Sequence, residues 1–211
     1  SGLVGAGRSE VMKTIFGLLP RSAGEVRFEG RPVEIRRPQD AIELGIGFVP
    51  ENRRDEGLII NNTVGFNLTL AVLRRFLHNF HLDRRLEQSI VRGSIDRLKI
   101  VTPSVRQRVY NLSGGNQQKI VVAKWLASSP KVLIMDEPTR GIDVGAKAEI
   151  YQIMNDLANA GVAIIMVSSE LPEVINMSDR VMVMFGGAIT GELPREALTQ
   201  ERVMHYATGG K

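Results

Sequence analysis

An α/β fold with a mostly parallel sheet core is predicted for this chain by three features of its sequence. Short apolar runs at 46–49, 132–135 and 163–167 suit strands buried between layers of helix. The stretch 144–160 sets Ile150, Ile153, Met154 and Leu157 on one helical face, which belongs to the core rather than to a site. A glycine-rich loop, with Gly2, Gly5, Ala6, Gly7, Arg8 and Ser9, runs directly into a helical pattern. It matches Gly-x-x-x-x-Gly-Lys-Ser except that Arg8 stands for the lysine, and loops of this kind cradle phosphate with backbone N–H groups.

Taken in order, the helix after this loop is expected over 10–19, ending before Pro20. Almost nothing precedes the loop to serve as its incoming strand, so N-terminal strands are expected to be missing. A hairpin follows, with strands at 24–28 and 32–35 around Glu29-Gly30. A short helix is expected over 38–44, then a strand at 46–49 that hands over to 50–57. The span 63–99 reads as mostly helical, with Asp83 as an N-cap. Near the end come a strand at 180–185, a Gly186-Gly187 turn, a strand at 188–193 and a helix from about Thr199.

The chemistry concentrates between 112 and 143. Leu112-Ser-Gly-Gly-Asn-Gln-Gln-Lys119 offers a capping hydroxyl on Ser113 and bare N–H groups at Gly114 and Gly115, a geometry that receives phosphate. The apolar run 132–135 delivers Asp136 and Glu137 to the carboxyl end of a strand, where ligands of α/β sheets gather. Adjacent carboxylates there suit Mg²⁺ coordination and activation of a water.

Composition sets bounds on partners. At 211 residues, 43% hydrophobic and 24% charged, the chain is of ordinary globular type. It has no cysteine, which removes disulfides and thiolate metal sites and fits a reducing cytoplasm. No apolar run approaches the roughly 20 residues of a spanning helix. The net charge of +4 is scattered among acids and aromatics are 5%, so no nucleic-acid partner is expected.

The combination of Leu-Ser-Gly-Gly-Asn-Gln-Gln-Lys with Asp136-Glu-Pro-Thr-Arg-Gly-Ile-Asp143 resembles the nucleotide-binding domain of an ABC ATPase over essentially the whole chain. Its specific form, continuing Val-Gly-Ala-Lys147, is similar to the bacterial monosaccharide importers of the ribose, galactose and xylose type. The resemblance implies a P-loop NTPase fold of ABC type, with a parallel core, a small antiparallel part and a helical subdomain over about 63–110 of a domain spanning 1–211. It implies ATP and Mg²⁺ as cofactors. ATP would contact Gly2, Gly5, Ala6, Gly7, Arg8, Ser9, Glu51, Ser113, Gly114, Gly115, Asn116, Gln117 and Asp143, while Ser9 and Asp136 hold the metal. Glu137, as the catalytic carboxylate, and Ser169, in the place of the residue that holds the γ-phosphate, would be the catalytic residues. Implied partners are a second nucleotide-binding domain, transmembrane permease subunits and, indirectly, a periplasmic sugar-binding protein, at the cytoplasmic face of the inner membrane.

Three positions depart from the family pattern. Arg8 replaces the P-loop lysine, Glu51 stands where a glutamine is usual, and Ser169 takes the place of a histidine. The resemblance therefore implies a weakened nucleotide site, as in the second, carboxyl-terminal domain of such importers. The signature at 113–117 would still complete a site on a partner domain, with glycine at Gly115 so that the two surfaces can meet. The expected activity is weak ATP hydrolysis coupled to sugar import. Alternatives are a non-hydrolytic nucleotide-binding or regulatory half that supplies the signature to a partner domain, and an ABC ATPase acting on ribosomes or DNA, against which the scattered charge argues.

Overall fold

The structure, a computed structural model, describes residues 1–3, 5–78 and 81–210. In chain order the helices are α1 (Arg8–Ile15), α2 (Pro38–Glu43), α3 (Val64–Thr69), α4 (Leu73–Phe76), α5 (Arg84–Leu98), α6 (Gly114–Leu126), α7 (Val144–Asn159), α8 (Leu171–Met177) and α9 (Gln200–Ala207). The strands begin with β1 (Val26–Phe28), β2 (Arg31–Val33), β3 (Ile46–Val49), β4 (Leu77–His78) and β5 (His81–Leu82). They continue with β6 (Val132–Asp136), β7 (Ala163–Val167), β8 (Arg180–Phe185) and β9 (Ala188–Pro194). Strands β3, β6 and β7 form one sheet in that order. Lys131 N–H bonds to Gly45 O and Ala163 N–H to Lys131 O at the strand starts, while Glu137 N–H bonds to Val167 O at the ends. Starts lie beside starts, so the sheet is parallel as expected.

The chain forms two compact units. The first comprises Ser1–Leu44, Ile134–Glu137 and Ile165–Lys211. Its core gathers Val174, Val181, Val183, Leu193, Val203 and Ala207 from α8, the antiparallel β8–β9 pair and α9. Strand alternation on β8 puts Val181 and Val183 inward, and Thr199 caps α9 by accepting from Arg202 N–H. Helix α1 ends at Ile15, not at residue 19 as the apolar pattern suggests. Gly17 adopts a left-handed φ of 81°, and Leu18 N–H and Gly17 N–H bond back to Lys13 O and Thr14 O, a Schellman close. The β1–β2 hairpin turns at Glu29 and Gly30, both at positive φ, and its strands are shorter than expected.

The second unit comprises Gly45–Leu133 and Pro138–Ile164. Helix α3 packs on α5 and α6, burying Val64, Leu68, Val91, Leu98, Ile120 and Val121, and Ile150, Ile153, Met154 and Leu157 of α7 are buried as their spacing requires. The span 63–99 is mostly helical as expected, interrupted by a 3-10 turn at Leu70–Val72 and the β4–β5 pair. Asp83 still caps α5, accepting from Arg85 and Leu86 N–H. Strand β7 was expected to be buried, but Ala163 and Ile165, two residues apart and so on one face of the strand, are exposed, while Val167 at its end is buried. The segment after β3 winds into a π-helical turn, Arg53–Gly57, whose N-cap Asn52 accepts from Arg54 and Asp55 N–H.

Candidate functional site

In the first unit the glycine-rich loop is shaped by backbone sterics. Gly5 and Gly7 sit at φ 82° and 91°, and Gly7 is the N-cap of α1 with no side chain to offer, so the first N–H groups of the helix remain available. Gly2, at φ 143°, has a second reason to be glycine. It bridges Met184 of β8, and a Cβ there would lie 2.3 Å from Met184 O. Ala6 is buried, and its carbonyl accepts from Gly187 N–H.

Arg8 is buried rather than displayed. Its Nη1 donates to Ser168 O at 2.8 Å and its Nη2 lies 3.6 Å from Glu137 Oε1, with both side chains about a tenth exposed. The other carboxylate oxygen of Glu137 accepts from the Ser169 hydroxyl at 3.1 Å. Glu137 itself is held at a φ of 46°, an unusual conformation for a non-glycine residue at a strand end. The arginine fork and the carboxylate thus satisfy one another. Ser168 was not singled out by sequence reasoning, because it contributes a main-chain carbonyl.

Asp136 stands apart from this pair. Its side chain is fully buried, and neither carboxylate oxygen has a partner at hydrogen-bonding geometry, although the Ser9 hydroxyl lies close enough to act on it. Burial pushes its pKa up, as does the Glu137 charge, while Ser9, Lys13 and Arg8 oppose the rise. An orphaned buried carboxylate next to the Ser9 hydroxyl fits a hard cation with oxygen ligands. Among the described residues no group of three or more His, Cys, Asp or Glu side chains could cage a metal.

The remaining predicted residues lie in the second unit. Ser113 caps α6 by accepting from Asn116 N–H, and it is exposed. Asn116 also donates to Ser113 Oγ and accepts from Val101 N–H. Gln117 is not displayed to a ligand: it is fully buried, and its Nε2 donates to Val109 O and Leu112 O. Gly115 has a reason to be glycine inside the chain. A Cβ there would lie 2.6 Å from Ala146 Cβ of α7, so glycine is required by packing within the chain itself. Asp143 caps α7 through Ala146 N–H at 2.9 Å. Glu51 forms an ion pair with Arg140. Beside it Arg53 donates to Arg140 O at 2.7 Å and Gly141 O at 2.9 Å. Sequence reasoning passed over Arg53, since an arginine in a charged loop reads as a solvated one.

Residues 1–140 match the family model described as ABC transporter. The chain belongs to the ABC transporter family. Among curated relatives, the ribose import ATP-binding protein RbsA of Bacillus licheniformis is 53% identical over 211 residues, 100% of this chain and 43% of that protein. Ribose import ATP-binding protein RbsA 1 of Rubrobacter xylanophilus is 54% identical over 211 residues, 100% of this chain and 42% of that protein. The chain therefore spans less than half the length of these relatives. Among solved structures, a nucleotide-free ATP-binding cassette from an ABC transporter superposes with a TM-score of 0.81 at 21% identity, over 97% of this chain and 85% of that one. The ADP conformation of the cassette MJ1267 gives a TM-score of 0.79 at 23% identity, over 99% and 85%. These likenesses establish the ABC ATPase fold. No helix among the described residues is long and apolar enough to cross a membrane.

Proposed function

We propose that this chain is an ATP-binding domain of a bacterial monosaccharide importer, with a weakened nucleotide site of its own and a signature that completes a site on a second nucleotide-binding domain. Relatives named as ribose import ATP-binding proteins, 53% identical along the whole chain, support the transport reading. Residues 1–211 make one nucleotide-binding domain in this reading, with about 63–110 as its helical subdomain. It acts peripherally at the cytoplasmic face of the inner membrane, with permease subunits and, through them, a periplasmic sugar-binding protein.

The observation that carries the weakened site is the engagement of Arg8 with Ser168 O and Glu137. A P-loop lysine presents a mobile point charge to phosphate, whereas this guanidinium is already engaged inside the fold by a hydrogen bond to Ser168 O and an ion pair with Glu137. Glu137 is held by the same contact and by Ser169, so the carboxylate that would polarise water is already compensated. Ser9 and Asp136 would hold Mg²⁺, and the backbone of 5–9 would hold the phosphates of ATP. When bound, the metal supplies neutralisation of phosphate charge. At the second site, Ser113 and the N–H groups at the start of α6 would face the phosphates carried by the partner.

The same Arg8–Glu137 pair also favours a second reading, in which the domain binds nucleotide without hydrolysing it. Steady-state ATP turnover by the purified chain, with and without Glu137→Gln, tests the proposal. The expected result is turnover close to background in both. Brisk hydrolysis abolished by Glu137→Gln contradicts the weakened site.

A further inference from the structure

We infer that Arg53 is a positioning residue that ties the segment after β3 to the loop 140–143 and so fixes the start of the signature helix. This rests on the reading of the signature as the element offered to a partner's nucleotide. The guanidinium bonds two consecutive carbonyls, Arg140 O and Gly141 O, as a planar fork. Its charge strengthens both bonds beyond the neutral kind. Burial beside Arg54 lowers its pKa, and its buried Nε has no partner, so the two carbonyls are what hold the cation in place.

The signature rests directly on this fork. A Cβ at Gly114 would lie 2.8 Å from Arg53 Nη2, 3.3 Å from Gly141 O and 3.4 Å from Ile142 Cγ2. Gly114 is glycine because the fork and its loop occupy the space where a side chain would go. The next residue is set against Ala146, whose N–H is held by Asp143 at the far end of the same loop. From the neighbouring position Arg54 Nε donates to Gln117 Oε1 at 3.3 Å, and Gln117 in turn holds Val109 O and Leu112 O. The π-helical turn that carries both arginines begins two residues after Glu51, and Glu51 pairs with the Arg140 side chain. Arg53 thus meets the main chain of the loop 140–143 and the space beside Gly114 at once, which neither the Arg54–Gln117 bond nor the Glu51–Arg140 pair does. Because the fork acts on main-chain oxygens, the Arg140 side chain is dispensable to it.

The test uses the assembled transporter in vesicles and the variants Arg53→Lys, Arg53→Gln and Arg140→Ala. Lysine keeps the charge but has no fork, so both Arg53 variants should lower kcat about tenfold with KM for ATP unchanged. Arg140→Ala keeps its carbonyl and should stay within about twofold of wild type. Rescue by Arg53→Lys, or an equal loss in Arg140→Ala, overturns the inference. Hydrogen exchange on the purified chain is read alongside: Arg53→Lys should speed exchange at amides 114–117 and 141–146 about tenfold, and unchanged exchange also overturns it. If wild-type assembly shows no ATPase activity, the functional reading fails, and the exchange result then decides the positioning role separately.

Discussion

Gly115 gives the sharpest test of how the signature helix is seated. A Cβ built there lies 2.6 Å from Ala146 Cβ, against the roughly 3.5–4.0 Å at which carbon atoms rest in contact. Gly115→Ala must therefore drive the starts of α6 and α7 apart by about 1 Å, and overpacking of this kind costs about 1–3 kcal/mol. Ala146→Gly removes the opposing atom at a helix-propensity cost of up to about 1 kcal/mol. The double variant should then lose no more than Ala146→Gly alone, a coupling of about 1–3 kcal/mol between the two positions. Trp125, the single tryptophan, lies buried on α6 itself, so its fluorescence in a urea titration reports the unit concerned. Wild-type stability in Gly115→Ala would refute the reasoning, as would a double variant that loses the sum of the two single changes.

Two further outcomes follow from buried cations. Arg8→Lys gives up the fork on Ser168 O and frees a point charge for phosphate, so calorimetry should find Mg-ATP bound about tenfold tighter, or about 1.4 kcal/mol. No gain would count against a phosphate role at this position. Lys124 is buried, donates to Gly57 O at 2.7 Å, and has its pKa lowered by burial from 10.5 to about 8. Between about pH 8 and 10.5 the unfolded chain holds this proton and the folded chain does not, so this residue makes stability rise with pH across that window. Below pH 8 both states are protonated, and the charged form costs the fold about 3 kcal/mol, an upper bound since the Gly57 bond offsets part of it. Urea titrations at pH 7, 9 and 10 should show wild type gaining on Lys124→Met as pH rises, and parallel curves would disprove the effect.

Much of this arrangement is legible in the sequence, for local reasons. Strand β8, the Gly186-Gly187 turn, the caps at Asp83 and Ser113 and the helix start near Thr199 come from alternation, glycine and hydroxyl or carboxylate chemistry within a few residues. Asp136 at a strand end is read the same way. What could not be read depends on residues distant in sequence. Gly115 is glycine because of Ala146, Gly114 because of Arg53, and Gly2 because of Met184, and no local pattern announces these neighbours. Gln117 sits in a polar signature yet turns inward, because Val109 O and Leu112 O need a donor. Arg8 shows the converse: its identity was visible as a departure, but its engagement with Ser168 O and Glu137 appears only once β6 and β7 are side by side.

The central claim is that the signature of this chain matters more to the assembled ATPase than its own catalytic carboxylate does. Ser113→Asp tests it with little confounding, because aspartate caps a helix as well as serine does and the residue is exposed, so the fold is retained. The change places a negative charge where the helix start would meet a partner's phosphate, opposing the macrodipole attraction there. Measured in reconstituted transporter at saturating ATP, Ser113→Asp should cut sugar-dependent ATPase activity by about two orders of magnitude, comparable to losing an oxyanion donor, while Glu137→Gln should cost less than about tenfold. If Glu137→Gln abolished activity and Ser113→Asp left it intact, the chain would be the hydrolysing domain and the account would be contradicted.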